Sequence, residues 1–321
     1  MTNGPSVSDG DMRLPSHVDS MPVKRWIASM EERGEGDVAW DRVKAWDRMV
    51  SEHSVIKTKV EGRVGVIELN YPPKANALVP PMYKLMVDAM ARFGDNDEVW
   101  VILITGTGGT FSSGGYVGPD AFYAGLDAGH DGAKGEPIRR TLWEMFQPVP
   151  KAVFTCEKPT IVALNGPVMA ESLDIALSAD LRTGSTDTEF RFSFAATGNT
   201  AYTGAAWSLP RLIGLAKAKQ FLMTAEWVGG ETAAEVGLLN YLYSPESLQD
   251  ESMALATRIA TLPPITQRLI KKEIHLGQGI GDFVSAIDTY SMIEPIVQST
   301  EDHMDAENAV IEKREPVVKG R

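Results

Sequence analysis

The sequence predicts an α/β fold of stacked β-β-α units closed by a helical C-terminal section. Three observations carry this. Short runs rich in β-branched residues, at 55–60, 64–69, 99–105 and 160–164, alternate with segments of helical periodicity. The runs at 99–105 and 160–164 are almost wholly apolar, as strands covered on both faces of a sheet are. From Leu248 onward nearly everything carries helical periodicity, ending in a charged tail.

The elements follow in order. Residues 1–21 are rich in Ser, Gly, Asp and Pro and read as a disordered lead-in. Trp40, Val43, Trp46, Met49 and Val50 recur at helical spacing, so 38–50 is an amphipathic helix with two tryptophans on its apolar side. A hairpin then forms from 55–60 and 64–69 around Glu61-Gly62, and Tyr71-Pro72-Pro73 ends its second strand. Prolines at a first turn open a helix over 80–93. Asp95-Asn96-Asp97 turns into the apolar strand 99–105, and a Gly-rich turn spans 106–115. After a loose segment to Gly135, helices are expected over 138–154 and 169–178, and short strands at 160–164, 181–183 and 190–192. A helix starting at 206–213 leads into the helical remainder.

Composition narrows the function. The 321 residues are 43% hydrophobic, enough for a sizeable core, and the single cysteine rules out an internal disulfide. No apolar run approaches the roughly 20 residues that a membrane span needs, and the N-terminus lacks the apolar stretch of a secretory signal. A cytoplasmic location is the expectation. The 31 Lys and Arg are outnumbered by 43 Asp and Glu, and a net charge of −12 argues against a nucleic-acid partner.

Four segments together resemble the crotonase superfamily, the enoyl-CoA hydratase/isomerase family. They are Lys74-Ala75-Asn76-Ala77-Leu78; the apolar strand at 101–106 leading into Gly108-Gly109-Thr110-Phe111-Ser112-Ser113-Gly114-Gly115; Lys158-Pro159-Thr160-Ile161-Val162-Ala163-Leu164-Asn165-Gly166-Pro167 running to Ala179-Asp180; and the ending from Glu301-Asp302 through Glu312-Lys313-Arg314-Glu315-Pro316 to Lys319-Gly320-Arg321. The resemblance spans about residues 55–321. It implies a crotonase-like spiral of β-β-α units over 51–255, a C-terminal helical oligomerisation region over 256–321, and an N-terminal extension over 1–50. A homotrimer or a dimer of trimers is implied with it.

The resemblance also implies a site. In relatives two backbone N–H groups hold a thioester carbonyl of acyl-coenzyme A and stabilise an enolate. Carried onto this chain, the donors are Gly115 and Glu171. Position 171 departs from the family, which usually has glycines where this chain reads Ala170-Glu171-Ser172. A glutamate side chain there repels developing negative charge unless it points away or is protonated. The first acid–base glutamate of the hydratases corresponds to Asp174, shorter by one methylene, and the second to Phe194. The two-glutamate arrangement that activates water is therefore not intact. Tyr202, and Tyr116 beside the first donor, are candidate acid–base or orienting groups, and Glu144 is a candidate for the acyl pocket. Phe122, Tyr123 and Trp143 suit an aromatic or alicyclic acyl group.

Coenzyme A enters only as part of the substrate, with its adenine against the backbone of Lys74, Ala75, Ala77 and Leu78 and its phosphates near Lys74. Lys271 and Lys272 are further candidates, across a subunit boundary. No metal is implied: His17, His53, His130, His275 and His303 have no ligand spacing. The turn at 106–115 lacks the P-loop and dinucleotide patterns, and Cys156 reads as inert. The expected activity is that of a lyase, hydration or dehydration of a 2-enoyl thioester with a non-standard acid–base set, with isomerisation left open. Alternatives are a C–C bond hydrolase of a β-diketone on the same fold, suggested by the stretches at 165–168 and 209–214, and a non-catalytic acyl-CoA binder.

Overall fold

A computed structural model describes residue 16, residues 19–116 and residues 135–321. Most of the lead-in, including His17, and the whole segment 117–134, including Phe122, Tyr123 and His130, lie outside the described residues.

Helices α1 (Met21–Glu32) and α2 (Gly36–His53) precede the hairpin of β1 (Ile56–Glu61) and β2 (Val64–Leu69). Next come α3 (Pro80–Asp95), β3 (Val101–Gly106), α4 (Gly135–Thr141), a π-helical turn (Leu142–Phe146) and α5 (Pro148–Thr155). The middle of the chain holds β4 (Thr160–Leu164), β5 (Val168–Met169), α6 (Glu171–Ser178), β6 (Leu181–Ser185), β7 (Glu189–Arg191) and α7 (Ala205–Thr224). Then follow β8 (Trp227–Gly229), α8 (Gly230–Glu235), β9 (Tyr241–Tyr243) and α9 (Leu248–Ile259). The end is helical: α10 (Pro264–Gly277), α11 (Phe283–Tyr290), α12 (Glu294–Gln298) and α13 (Glu301–Glu312).

Six strands form one sheet in the order β1-β2-β3-β4-β6-β9, antiparallel only between β1 and β2. Strands β5, β7 and β8 make a small second sheet. Alternate residues of β3 face opposite sides, as a period of two requires. Ile102 and Ile104 join the main core, while Val101 and Leu103 pack with Leu255, Ala256 and Ala260 at the end of α9. The main core also takes in Val23, Trp26, Ile27 and Met30 of α1 and Ala39, Val43 and Trp46 of α2. The two tryptophan rings, Trp26 and Trp46, lie 5.3 Å apart.

Three of the expected segments take a different form, each for a local reason. The helix expected over 138–154 is broken by Pro148, which has no N–H to donate. The chain relaxes through the π turn instead, where Gln147 N–H reaches back to Leu142 O at 2.9 Å. In the expected helix over 169–178, Val168-Met169 pairs with Phe190-Arg191, and Ala170 at φ +49° separates that bridge from α6. Helix α7 runs past residue 213, but through a break at Gly214 (φ +79°). Its prolyl residue, Pro210, lies in the first half.

The C-terminal tail is pinned rather than loose. Asp302 accepts from the N–H groups of Lys319 (2.6 Å) and Gly320 (2.9 Å), and Glu301 N–H donates to Arg321 O at 2.8 Å.

Candidate active site

Three chain segments meet at the N-terminus of α6. Asn76, fully buried, laces two of them together: its side-chain amide donates to Thr107 O (2.9 Å) and Thr110 O (2.8 Å), and its oxygen accepts from Tyr71 N–H (2.7 Å). Leu78 bridges to Gly115, and Ser112 bridges to Val168. The Lys74–Leu78 loop, the end of the Gly-rich turn and the approach to α6 are thus one hydrogen-bonded unit. Gly114 sits at its tightest point, at φ +84°. A Cβ there would lie 2.6 Å from Ala170 Cβ and 2.7 Å from Met169 O, so no other residue fits.

This unit brings Gly115 against the side chain of Glu171. Glu171 is the first residue of α6, at the positive end of the helix. Gly115 N–H is occupied. It donates to the Glu171 side chain, to Oε2 at 2.8 Å, while Tyr202 Oη donates to Oε1 of the same carboxylate. The side chain of position 171 therefore does not point away from Gly115; it lies between Gly115 and Tyr202.

Asp174, one turn further along α6, is 1% exposed. Burial pushes its carboxyl up to about 7, against the pull of hydrogen bonds from Thr203 Oγ1 and the Ala205 N–H, and the nearby Glu171 charge adds to the rise. Its Oδ1 makes no hydrogen bond and faces the Cα side of Gly204, where a Cβ would stand 3.5 Å away. A carboxyl so placed is half protonated near neutral pH, the condition a proton donor needs.

A residue that the sequence did not single out joins this site. Tyr83 of α3 has a buried hydroxyl with no hydrogen-bond partner. Burial pushes its pKa well above the ordinary phenol value, and the charges of Glu171 and Tyr202 act in the same direction. Its ring packs edge-on against Phe146 at 4.8 Å. On the sequence it reads as one more member of an apolar stripe with Met82, Met86 and Met90; only the hydroxyl distinguishes it.

The matched family model is that of enoyl-CoA hydratase/isomerase, over residues 59–321. The chain belongs to this family. It is similar to the short-chain-enoyl-CoA hydratase of Clostridium acetobutylicum, 30% identical over 79% of this chain and 93% of that one. It is also similar to the (E)-benzylidenesuccinyl-CoA hydratase of Thauera aromatica, at 26% identity over 83% and 99%. Among solved structures it matches enoyl-CoA hydratase subunit I of Geobacillus kaustophilus with a TM-score of 0.74 and 30% identity, over 83% of this chain and 98% of that one.

The remaining sequence-predicted residues of this crotonase fold divide clearly. Phe194 is buried and meets the Tyr202 ring edge-on at 6.3 Å, so an aromatic contact stands at the position that the resemblance assigns to a second carboxylate. Tyr202 is brought to the site; Tyr116 is half-buried beside it, its N–H on Leu78 O at 3.0 Å. Glu144 is drawn off by an ion pair with Arg25 of α1, and Trp143 is exposed with Lys151 Nζ 4.0 Å over its ring. Lys74 is exposed at the end of a 3₁₀ turn, next to Ala75, with Ala77 and Leu78 buried behind it. Lys271 is no surface lysine: it is buried, paired with Asp180 at 2.8 Å and donating to Lys158 O. Burial raises the Cys156 thiol, in keeping with an inert role.

Proposed function

We propose that this family member adds water to a 2-enoyl-coenzyme A thioester, or removes it from the 3-hydroxy thioester, as a lyase. The observation that carries the reading is the buried Asp174 carboxyl one turn beyond Glu171, whose side chain meets the Gly115 N–H. The thioester oxygen takes the N–H groups of Gly115 and Glu171, which stabilise the enolate formed when the β-carbon gains oxygen. Asp174 gives its proton to the α-carbon in hydration and recovers it in dehydration. Coenzyme A is held as part of the substrate, its adenine against the backbone of Lys74, Ala75, Ala77 and Leu78 and its phosphates toward Lys74. The chemistry draws on no metal and no further cofactor.

The assembly we propose is a homotrimer, or two trimers stacked, formed through the C-terminal helices and located in the cytoplasm. Large apolar side chains exposed along those helices support it, among them Ile274, Phe283, Met292 and Val310. No helix among the described residues is long and apolar enough to cross a membrane.

The test is the loss of conjugated-thioester absorbance with crotonyl-CoA and with a bulkier enoyl-CoA. Turnover is expected, and Asp174→Ala is expected to lower it at least tenfold. Equal rates for variant and parent would remove Asp174 from the mechanism. One observation favours a second reading, a non-catalytic binder: Gly115 N–H is already satisfied by Glu171. In that case coenzyme A esters raise the melting temperature without any turnover.

A further inference from the structure

Hydration needs two proton transfers, and Asp174 accounts for one. The group that takes the proton from water is absent from position 194, where Phe194 packs against Tyr202. The other carboxylate at the site is Glu171, three residues before Asp174 and therefore on the same face of α6. It accepts one hydrogen bond from Gly115 N–H and one from Tyr202 Oη. Beside it stand two buried polar atoms without partners, Tyr83 Oη and Asp174 Oδ1. Unsatisfied buried polar atoms are costly in a protein interior, and a cluster of them next to paired acids marks where a polar ligand or water completes the site.

We propose that the side chain of Glu171 is the second acid–base group of the reaction, held on the Gly115 amide in the free protein and displaced from it by the thioester oxygen. The proposal rests on the hydratase reading above and deepens it. When the thioester oxygen takes the Gly115 N–H, the glutamate gives up that hydrogen bond and keeps the Tyr202 hydroxyl as a tether. Its carboxylate then accepts a proton from water as the water oxygen bonds to C3. The C2=C3 electron pair shifts onto the thioester, whose oxygen carries the charge in the donor pair. Asp174 delivers its proton to C2 and the enolate collapses. One water has been added; Glu171 is left protonated and Asp174 ionised, and a proton passing from one to the other restores the starting state. The opposed surroundings of the two acids suit this division: Asp174 is buried with one bare oxygen, while Glu171 has a donor on each oxygen.

The experiment compares the parent, Glu171→Gln, Glu171→Asp and Glu171→Gly. Glutamine keeps one acceptor oxygen, for Gly115 N–H, turns the contact with Tyr202 Oη into one its amide donates, and cannot take a proton. Expected is a fall in crotonyl-CoA hydration of at least 100-fold for Glu171→Gln, the usual scale for losing a general base. Binding of butyryl-CoA by calorimetry, a thioester that cannot be hydrated, is expected to change by less than about threefold, with partial turnover restored in Glu171→Asp. Turnover by Glu171→Gln or Glu171→Gly at or above the parent rate overturns the proposal and leaves Glu171 as a mere occupant of the donor pair. A parent that binds butyryl-CoA without hydrating any enoyl-CoA overturns the hydratase reading itself, a different result. Should Glu171→Gln melt far below the parent, Glu171→Asp decides: a carboxylate one methylene shorter with no turnover above the Glu171→Gly level also overturns the proposal.

Discussion

At the scale of single residues, the site turns on carboxyl groups whose surroundings differ. Asp174 is ionised above about pH 4 in an unfolded chain and stays protonated up to about 7 when folded. Between those values the folded chain holds the extra proton, so its stability falls as pH rises through the window. The full shift corresponds to a few kcal/mol, about 4 at most. Asp174→Asn removes this slope, and urea melts at pH 5 and pH 8 are expected to show the parent losing stability where the variant does not. Two curves that move together would count against the buried-acid assignment. As the proposed proton donor, Asp174 is expected to make hydration slow on the alkaline side of about pH 7. Asn76 is the corresponding structural residue. Its three hydrogen bonds hold the buried N–H of Tyr71 and the partly buried carbonyls of Thr107 and Thr110. Asn76→Ala leaves them unpaired, at a cost of roughly 2–4 kcal/mol, read as a lower urea midpoint with unchanged slope.

At the scale of elements, the helices ahead of the first strand belong to the main core. Trp26 is 3% exposed and stacks obliquely on Trp46, so Trp26→Ala is expected to lose about 3–5 kcal/mol. Arg25→Ala, one residue earlier, breaks only a half-exposed ion pair with Glu144 and is expected to cost less than about 1 kcal/mol. Thermal melts of the two variants distinguish packing from charge as what holds α1; a larger loss for Arg25→Ala would reverse the assignment. The same helix shows where sequence reading stops. Val23, Trp26, Ile27 and Met30 have helical spacing, yet they follow a lead-in whose Ser, Gly and Pro content reads as disorder, and Pro22 conceals the start. Strands β3 and β4 were legible because runs of branched apolar residues suit a sheet buried on both faces; β8 and β9, three residues each, are too short to display a period. For the site, the positions of Gly115, Glu171 and Asp174 came from the register of the family resemblance. The Glu171 to Gly115 bond could not be read that way, since it joins residues 56 apart in sequence through a side chain the family usually lacks. Tyr83 was hidden for the opposite reason: its ring satisfies the apolar stripe, and only the fold shows that its hydroxyl has no partner.

At the scale of the whole molecule, the distribution of apolar surface is uneven. The site end of α6 is closed by hydrogen bonds, while the opposite end opens on a cleft of about 380 Å³ lined by Trp207, Arg211, Ile274 and His275. That cleft holds neither the donor pair nor Asp174, and Lys271 on its wall is committed to Asp180. Large apolar side chains continue outward from it along α10, α11 and α13: Ile274 is 59% exposed, Phe283 76% and Val310 79%. A net charge of −12 opposes non-specific association, but apolar side chains in such number on neighbouring helices are the pattern of a surface meant to be covered. In the proposed trimer, covering it buries the side chains that a single chain leaves in water. Sedimentation equilibrium at micromolar concentration is expected to give a mass three or six times that of the chain. The double variant Ile274→Asp with Phe283→Asp places charges on that face and is expected to shift the mass to one chain while far-ultraviolet circular dichroism stays unchanged. A melting temperature that rises with protein concentration in the parent and not in the variant follows from the same linkage. A parent already monomeric at those concentrations would remove the trimer and leave the exposed helices for another partner to cover.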